Sequence, residues 1–416
     1  MQKVINSQVL RETVIGAVES QQVTDIHTHL FSPDFGGLLL WGVDELITYH
    51  YLVAEVFRSA DISYEEFWAM TQTKQADLIW QTLFIQNSPV SESCRGVVTT
   101  LKELGLDLAS RDLQNYREYF ACQKVEDFID IVFDVAKVKS VVMTNDPFDS
   151  IEQPVWLAGR KGDPRFRAAL RIDPLLNDYV DVGCDKLSGF GYETDLDLSK
   201  KSLSEIRRFL SDWIDRMKPN YMAVSLPPEF KYPENSSRGK VIKECVLPIS
   251  LEYNVPFALM IGVTRAVNPQ LRMAGDGMAK ADLTCLENLL GENPKNKFLT
   301  TLLSRENQHE LCVIARKFPN LMVFGCWWFM NNPSLVDEIT RERLELLGLS
   351  IIPQHSDARI LDQLIYKWKH SRQIISKVLV DKYQDLLDSG WLITQDEIGR
   401  DVAALLGGNF EGFLQS

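Results

Sequence analysis

Eight short runs of apolar and β-branched residues punctuate the chain: Val23–Leu30, Val138–Asn145, Arg167–Asp173, Tyr221–Leu226, Val255–Val263, Lys297–Leu303, Leu321–Phe329 and Leu349–Gln354. Most are nearly continuous in Val, Ile, Leu, Met, Phe and Ala rather than alternating with polar residues. A continuous run suits a strand buried on both faces, which means a parallel strand covered by helices. Between the runs, apolar residues recur three and four apart. Leu203, Ile206, Leu210, Trp213, Ile214 and Met217 form one such stripe, and Val241–Tyr253 and Glu306–Lys317 read the same way. Strand and helix alternating through all these runs predicts an α/β fold, a (β/α)8 TIM barrel.

One connection breaks the rhythm. Residues 31–137 hold no strand-like run, but they carry helical patterns at Glu65–Leu78 and Val125–Ala136. A structureless loop of that length is implausible in a compact domain. The segment therefore reads as a helical insertion leaving the C-terminal end of the first strand, where barrel enzymes build their sites. Residues 361–416 read as a helical C-terminal extension packed on the barrel exterior. The whole of 1–416 is expected to form a single barrel domain. No low-complexity tract and no repeat of fixed period interrupts it.

Composition narrows the function. The 416 residues are 45% hydrophobic and 24% charged, enough for a large core. A net charge of −13 without a basic stripe argues against a nucleic-acid partner. Any anion must then be bound by individually placed arginines. The seven cysteines are odd in number and include no C-x-x-C pair, so neither a disulfide framework nor a structural zinc knot is expected. Met1-Gln2-Lys3-Val4-Ile5-Asn6 is too polar to open a signal peptide, and no apolar run approaches the roughly 18–20 residues that span a membrane. These features predict a cytoplasmic protein with no membrane partner.

The strand ends carry the candidate chemistry. His27 and His29 are two apart in the first run, so a strand places both imidazoles on one face. Two neutral imidazoles and a carboxylate can hold a metal at about 2.0–2.1 Å and leave positions open for catalysis. The last run is followed by His355, Asp357 and Arg359. Asp357 is the candidate third ligand, although an Asp at a strand-to-helix turn can also be a helix cap. Arg359 would face the same cavity, and His355 is assigned a supporting role. The ends Ser225-Leu226-Pro227-Pro228, Ile261-Gly262-Val263-Thr264-Arg265 and Leu303-Ser304-Arg305-Glu306 offer no Lys or His for a second metal, so the site is expected to be mononuclear. Arg171 could grip a substrate carboxylate with two prongs, or make a surface salt bridge. His50 and Tyr51 could reach over the mouth to hold or relay a proton, or pack in a core. Cys326-Trp327-Trp328-Phe329 could wall the site against water, or pack on the barrel.

Taken together these segments resemble the uronate isomerase (glucuronate isomerase) family of the amidohydrolase superfamily, over essentially the whole chain. The resemblance is carried by Asp25-Ile26-His27-Thr28-His29-Leu30, by Asp44-Glu45-Leu46-Ile47-Thr48-Tyr49-His50-Tyr51 with Arg58 after it, by Leu170-Arg171-Ile172-Asp173-Pro174, by Trp327-Trp328-Phe329 and by Ser356-Asp357-Ala358-Arg359. It implies one divalent metal, zinc, on His27, His29 and Asp357. It implies catalytic roles for Asp357, Tyr51, His50 and Arg359, and substrate contacts from Arg171, Arg359, His50, Tyr51 and Trp328. The implied reaction converts D-glucuronate to D-fructuronate and D-galacturonate to D-tagaturonate, with small hexuronates as partners and a homo-oligomeric state. Met260-Ile261-Gly262-Val263-Thr264-Arg265 departs from the His-Ile-Gly-Ala type of segment common in the family, and the chain is shorter than many members. Both mark a divergent branch. The alternative is a metal-dependent hydrolase on the same barrel; a non-catalytic sugar-acid binding protein is a third reading.

Overall fold

The computed structural model describes residues 3–4 and 6–416. Met1, Gln2 and Ile5 of the polar N-terminal stretch lie outside the described residues. Among the described residues nine strands are formed: β1 Val23–Thr28, β2 Val138–Asn145, β3 Phe166–Arg171, β4 Met222–Leu226, β5 Phe257–Ile261, β6 Val263–Thr264, β7 Gly277–Met278, β8 Phe298–Leu302 and β9 Leu321–Val323. Seven make one sheet in the order β1-β2-β3-β4-β5-β8-β9, parallel throughout. β6 and β7 form a separate antiparallel hairpin after β5.

The eighth position of the barrel is a short bridge rather than a full strand. Ile352 pairs in parallel with Phe324. Further along, Asp357 N donates to His27 O at 3.1 Å and His29 N donates to Ala358 O at 2.7 Å. These bonds close the ring between the last segment and β1. The runs Leu321–Phe329 and Leu349–Gln354 are therefore mostly not strand. Gly325, with φ +60, turns the chain out of the sheet after Phe324. Pro353 has no N–H for a ladder, and Cys326 N is taken by the Gln354 side chain at 2.7 Å.

Unbroken apolar runs are buried on both faces, as in β5 (FALMI), where every residue is buried. An inner cluster including Ile26, Val142, Ala169, Ala258, Met260, Leu299, Met322 and Phe324 fills the barrel, and a second, much larger one lies between sheet and helices. β1 carries a bulge. Three steps from Asp25 to Thr28 are matched by two steps of β2 from Val141 to Met143. A bulge re-aims side chains locally. Here Asp25 meets Trp368 of the helix Gln363–Asp388, while His27 turns toward Tyr221 in the barrel.

From β1 to β2 the chain is helical, with segments including His50–Val56, Tyr64–Ala69, Gln72–Trp80, Glu92–Glu103 and Val125–Ala136. The pattern Glu65–Leu78, read above as one helix, is two. Met70 is extended, and the Thr71 hydroxyl accepts from Lys74 N at 3.4 Å to start a new helix. After Gln363–Asp388 the chain forms Gln395–Ala403 and Asn409–Gln415. This last part does not lie on the outer flank. Phe410 joins the inner cluster with its ring 6.3 Å from that of Tyr221, and Gly407 packs so close to Thr24 that a Cβ would sit 3.0 Å from its side chain. It plugs the N-terminal end of the barrel, opposite the mouth. All seven cysteines are free thiols, and among the described residues no helix is long and apolar enough to cross a membrane. Phe410→Ala should lower stability by about 3–5 kcal/mol, as for other buried aromatic truncations. Urea denaturation of both proteins checks this.

Candidate metal centre and active site

The ends of β1 and of the closing segment place one donor atom each of His27, His29 and Asp357 within 4.8 Å of one another. His29 Nε2 is 3.4 Å and His27 Nε2 is 3.7 Å from the same oxygen, Asp357 Oδ1. Two bonds of about 2.1 Å meeting near the tetrahedral angle separate their donors by roughly 3.4 Å. His27 Nε2 and Asp357 Oδ1 are moreover buried with no hydrogen-bond partner. Buried polar atoms left this way have a high free-energy cost unless something else binds them. The donor set and its spacing fit a divalent metal.

Neighbouring groups fix each imidazole. The Tyr221 hydroxyl donates to Ile26 O at 2.7 Å, so it meets His27 Nδ1, 3.0 Å away, with a lone pair. His27 Nδ1 then carries the proton and Nε2 is bare. Thr144 does the same for His29: its hydroxyl donates to Thr28 O and faces His29 Nδ1 at 3.4 Å. Such outer partners set the tautomer and orientation of a ligating histidine. Burial pushes the His27 pKa down to about 3 and His29 well below its usual range, with Arg171 and Arg359 adding to both shifts. Both rings are therefore neutral, as a metal ligand must be. Burial pushes Asp357 up to about 6, against the pull of Lys367 and Arg359.

His355 stands apart from the ligand set. Its ring lies edge-on to His27 at 5.3 Å and beside Phe324, with neither nitrogen hydrogen-bonded. It occupies the space a side chain at Gly325 would need.

A cavity of about 20 Å³ adjoins the cradle, lined by His27, His29, Thr144, Arg171, Asp173 and Trp327 among others. Arg171 is not free: its Nε donates to Asp173 Oδ2 at 2.9 Å and its Nη2 to Oδ1 at 3.3 Å. That pair holds the guanidinium at the mouth and raises its pKa further, chiefly through the Asp173 charge. Arg359, His50, Tyr51 and Trp328 do not line this small space. His50 sits 6.3 Å from the Trp328 ring and Tyr51 stacks 6.1 Å from Phe329, so the helix His50–Val56 meets the turn Trp328–Met330. Burial keeps His50 neutral and the Tyr51 phenol protonated. His50 Nε2 and Trp328 Nε1 are buried without partners. A roomier cavity, about 720 Å³, lies elsewhere, between the helices Ser7–Ser20 and Gln363–Asp388. It belongs to the helical layer and holds none of these donors.

Tyr221, Thr144 and Asp173 were missed from sequence. Thr144 and Asp173 sit at strand ends and could have been found by reading every end for hydrogen-bonding partners as well as ligands. Tyr221 precedes β4 and acts across the barrel, which no local pattern reveals.

A parallel α/β barrel that gathers His27 of β1, His29 just after it and Asp357 of the closing segment is an α/β-barrel enzyme with a candidate metal site at its mouth. Neither the known family models nor the curated proteins yield a match. Among solved structures, a uronate isomerase from Bacillus halodurans C-125 is 58% identical over 99% of this chain and 97% of that one, with a TM-score of 0.98. The chain belongs to the uronate isomerase family. A uronate isomerase from Thermotoga maritima (16% identity, 97% of both chains) and a glucuronate isomerase from Caulobacter crescentus (14%, 98% of this chain and 94% of that one) share the fold, each with a TM-score of 0.78.

Two outcomes are expected here. Tyr221→Phe frees the His27 tautomer and should weaken metal affinity at least about tenfold, read by competition with a chelator. Glu152, buried beside β2, has its pKa pushed up to about 8 by burial, against hydrogen bonds from Asn145 and Asp146. Its folded-state pKa is raised, so its contribution to stability is complete below the unfolded value, near 4.5, and is lost as pH rises through 8. Glu152→Gln should remove that loss. Relative to the variant, wild type should lose up to about 4 kcal/mol between pH 5 and 8, measured by urea titration at each pH.

Proposed function

We propose that the protein interconverts D-glucuronate with D-fructuronate and D-galacturonate with D-tagaturonate, using one zinc ion per chain on His27, His29 and Asp357. One observation carries the substrate class. Arg171 lines the same small cavity as His27 and His29, and Arg359 stands two residues beyond Asp357, in a chain whose net charge is −13. Cations concentrated against that background suit an anionic substrate.

The reaction moves a proton from C2 to C1 of the open-chain sugar acid through an enediol, with the C2 hydroxyl becoming a carbonyl and the C1 carbonyl a hydroxyl. A bound divalent ion supplies a Lewis acid that stabilises negative charge on a substrate oxygen. Asp357 takes the C2 proton and returns it at C1 as general base and then general acid. Tyr51, protonated, donates to a substrate oxygen, and neutral His50 holds a hydroxyl or relays its proton. Arg171 grips the carboxylate while Asp173 keeps its fork aimed. Arg359 stabilises charge on the enediol, and Trp328 offers its indole N–H as a further donor.

A hydrolase would use the same cradle but needs no carboxylate clamp. Incubating the metal-loaded protein with D-glucuronate, D-galacturonate and a panel of esters, amides and lactones separates the readings: ketose formation from the uronates alone supports isomerisation, and hydrolysis without ketose sinks it. Asp357→Asn should lose kcat by on the order of a thousandfold or more, with metal content measured alongside. Arg171→Met should chiefly raise KM. If Asp357→Asn keeps its metal and isomerises near the wild-type rate, Tyr51 or His50 becomes the base.

A further inference from the structure

We propose that Asp25 and Lys367 are positioning residues for Asp357, acting from either side of Ser356 to hold the metal-binding carboxylate in its left-handed backbone conformation. The inference rests on the reading of His27, His29 and Asp357 as metal ligands.

Asp25 is fully buried. Its Oδ1 accepts from Ser356 N at 3.0 Å, and its Oδ2 accepts from Trp368 Nε1 at 2.8 Å. Lys367, also buried, donates from Nζ to Ser356 O at 2.6 Å. Ser356 is thus gripped at its N–H by a carboxylate and at its C=O by an ammonium. That C=O shares a peptide plane with the N–H of Asp357, which donates to His27 O at 3.1 Å. Both sides of the peptide unit preceding Asp357 are tied, one to a buried charge and one to the strand that carries the other ligands.

The tie matters because of the torsion that follows it. Asp357 has φ +52, in the left-handed region that a non-glycine residue leaves for a gain of roughly 1–2 kcal/mol. Rotating out of that region swings the carboxylate away from His27 and His29. Charge-assisted hydrogen bonds are about twice as strong as neutral ones, which suits them to holding a strained peptide. If Asp25 and Lys367 served only to fasten the helix Gln363–Asp388 to the sheet, their loss would lower stability and leave the metal site intact.

The full-length protein is stripped of metal and titrated with Zn2+ against a chelator. The Co2+ form is followed by visible absorption, kcat and KM for D-glucuronate are measured at saturating Zn2+, and urea midpoints are recorded for the apo forms. Lys367→Met and Asp25→Asn should each weaken Zn2+ binding ten- to a hundredfold, shift the Co2+ bands, and lower kcat at least tenfold with KM within about twofold. Lys367→Arg should recover part of the affinity. Leu210→Ala, which removes buried packing in the helix Lys200–Met217 and touches none of these residues, should bind Zn2+ as wild type does. Should Lys367→Met not fold, Asp25→Asn carries the same decision. Folded variants with wild-type Zn2+ affinity and unchanged Co2+ bands overturn the positioning role alone, as does an equal loss of affinity in Leu210→Ala. A wild-type protein that binds no divalent metal overturns the ligand reading and this inference with it.

Discussion

Two backbone hydrogen bonds, Asp357 N to His27 O and His29 N to Ala358 O, are the contacts on which the rest of the molecule turns. They close the barrel, and the residues that make them include all three candidate metal ligands. Adjacent strands lie about 4.8 Å apart, so ligands on neighbouring strands are brought to bonding distance of one ion by the sheet itself. No loop has to fold over to complete the cradle. The consequence is that barrel closure and site assembly are one event. The first and last parts of the chain must both be in place before three donors can converge, and anything that loosens the seam loosens the site.

The electrostatics follow from that seam. It buries His27 and Asp357 almost completely, and burial penalises whichever form is charged. For the histidines this is useful, since the neutral ring is the ligand. For Asp357 it opposes ionisation, and the opposition is met by nearby cations: Lys367 from the helical layer and Arg359 from the mouth. Arg171 stands in a different balance. Its own partner Asp173, with Asp146 and Glu152 nearby, keeps it charged and oriented. Asp173 takes the Nε and Nη2 side of the guanidinium and fixes its plane.

The features legible in the sequence were those with a local period or a local composition. Continuous apolar runs marked β1 to β5 and β8 because strands buried on both faces carry no polar alternation. His27 and His29 stood out because a pair of histidines two apart has few other uses in such a run, and Asp357 because it follows the last run. The helix Val125–Ala136 was read to the residue. What escaped depended on distant partners. Leu321–Phe329 has strand composition throughout, yet Gly325 and the Gln354 side chain end the ladder after Phe324. Glu65–Leu78 has helical periodicity throughout, yet extended Met70 and the Thr71 side-chain cap divide it. Phe410 looks like any apolar residue of a terminal helix, and only the open end of the barrel explains where it goes. The bulge that sends Asp25 outward and His27 inward leaves no mark on the alternation of β1.

Strain is distributed in a way that ties the mouth together. Asp357 and Trp328 both hold left-handed backbone, an uncommon state for a bulky indole and one kept only where surroundings over-determine it. The surroundings are shared. Asn331, at the end of the turn that carries Trp328, donates to Ser356 O at 3.1 Å and accepts from Gln354 Nε2 at 3.0 Å. The carbonyl that Lys367 grips is thus also the anchor of the aromatic wall. The candidate metal-binding carboxylate and the indole facing His50 hang from the same peptide. The wall and the backbone before Asp357 are thus coupled through one carbonyl, which Asn331 and Lys367 both hold.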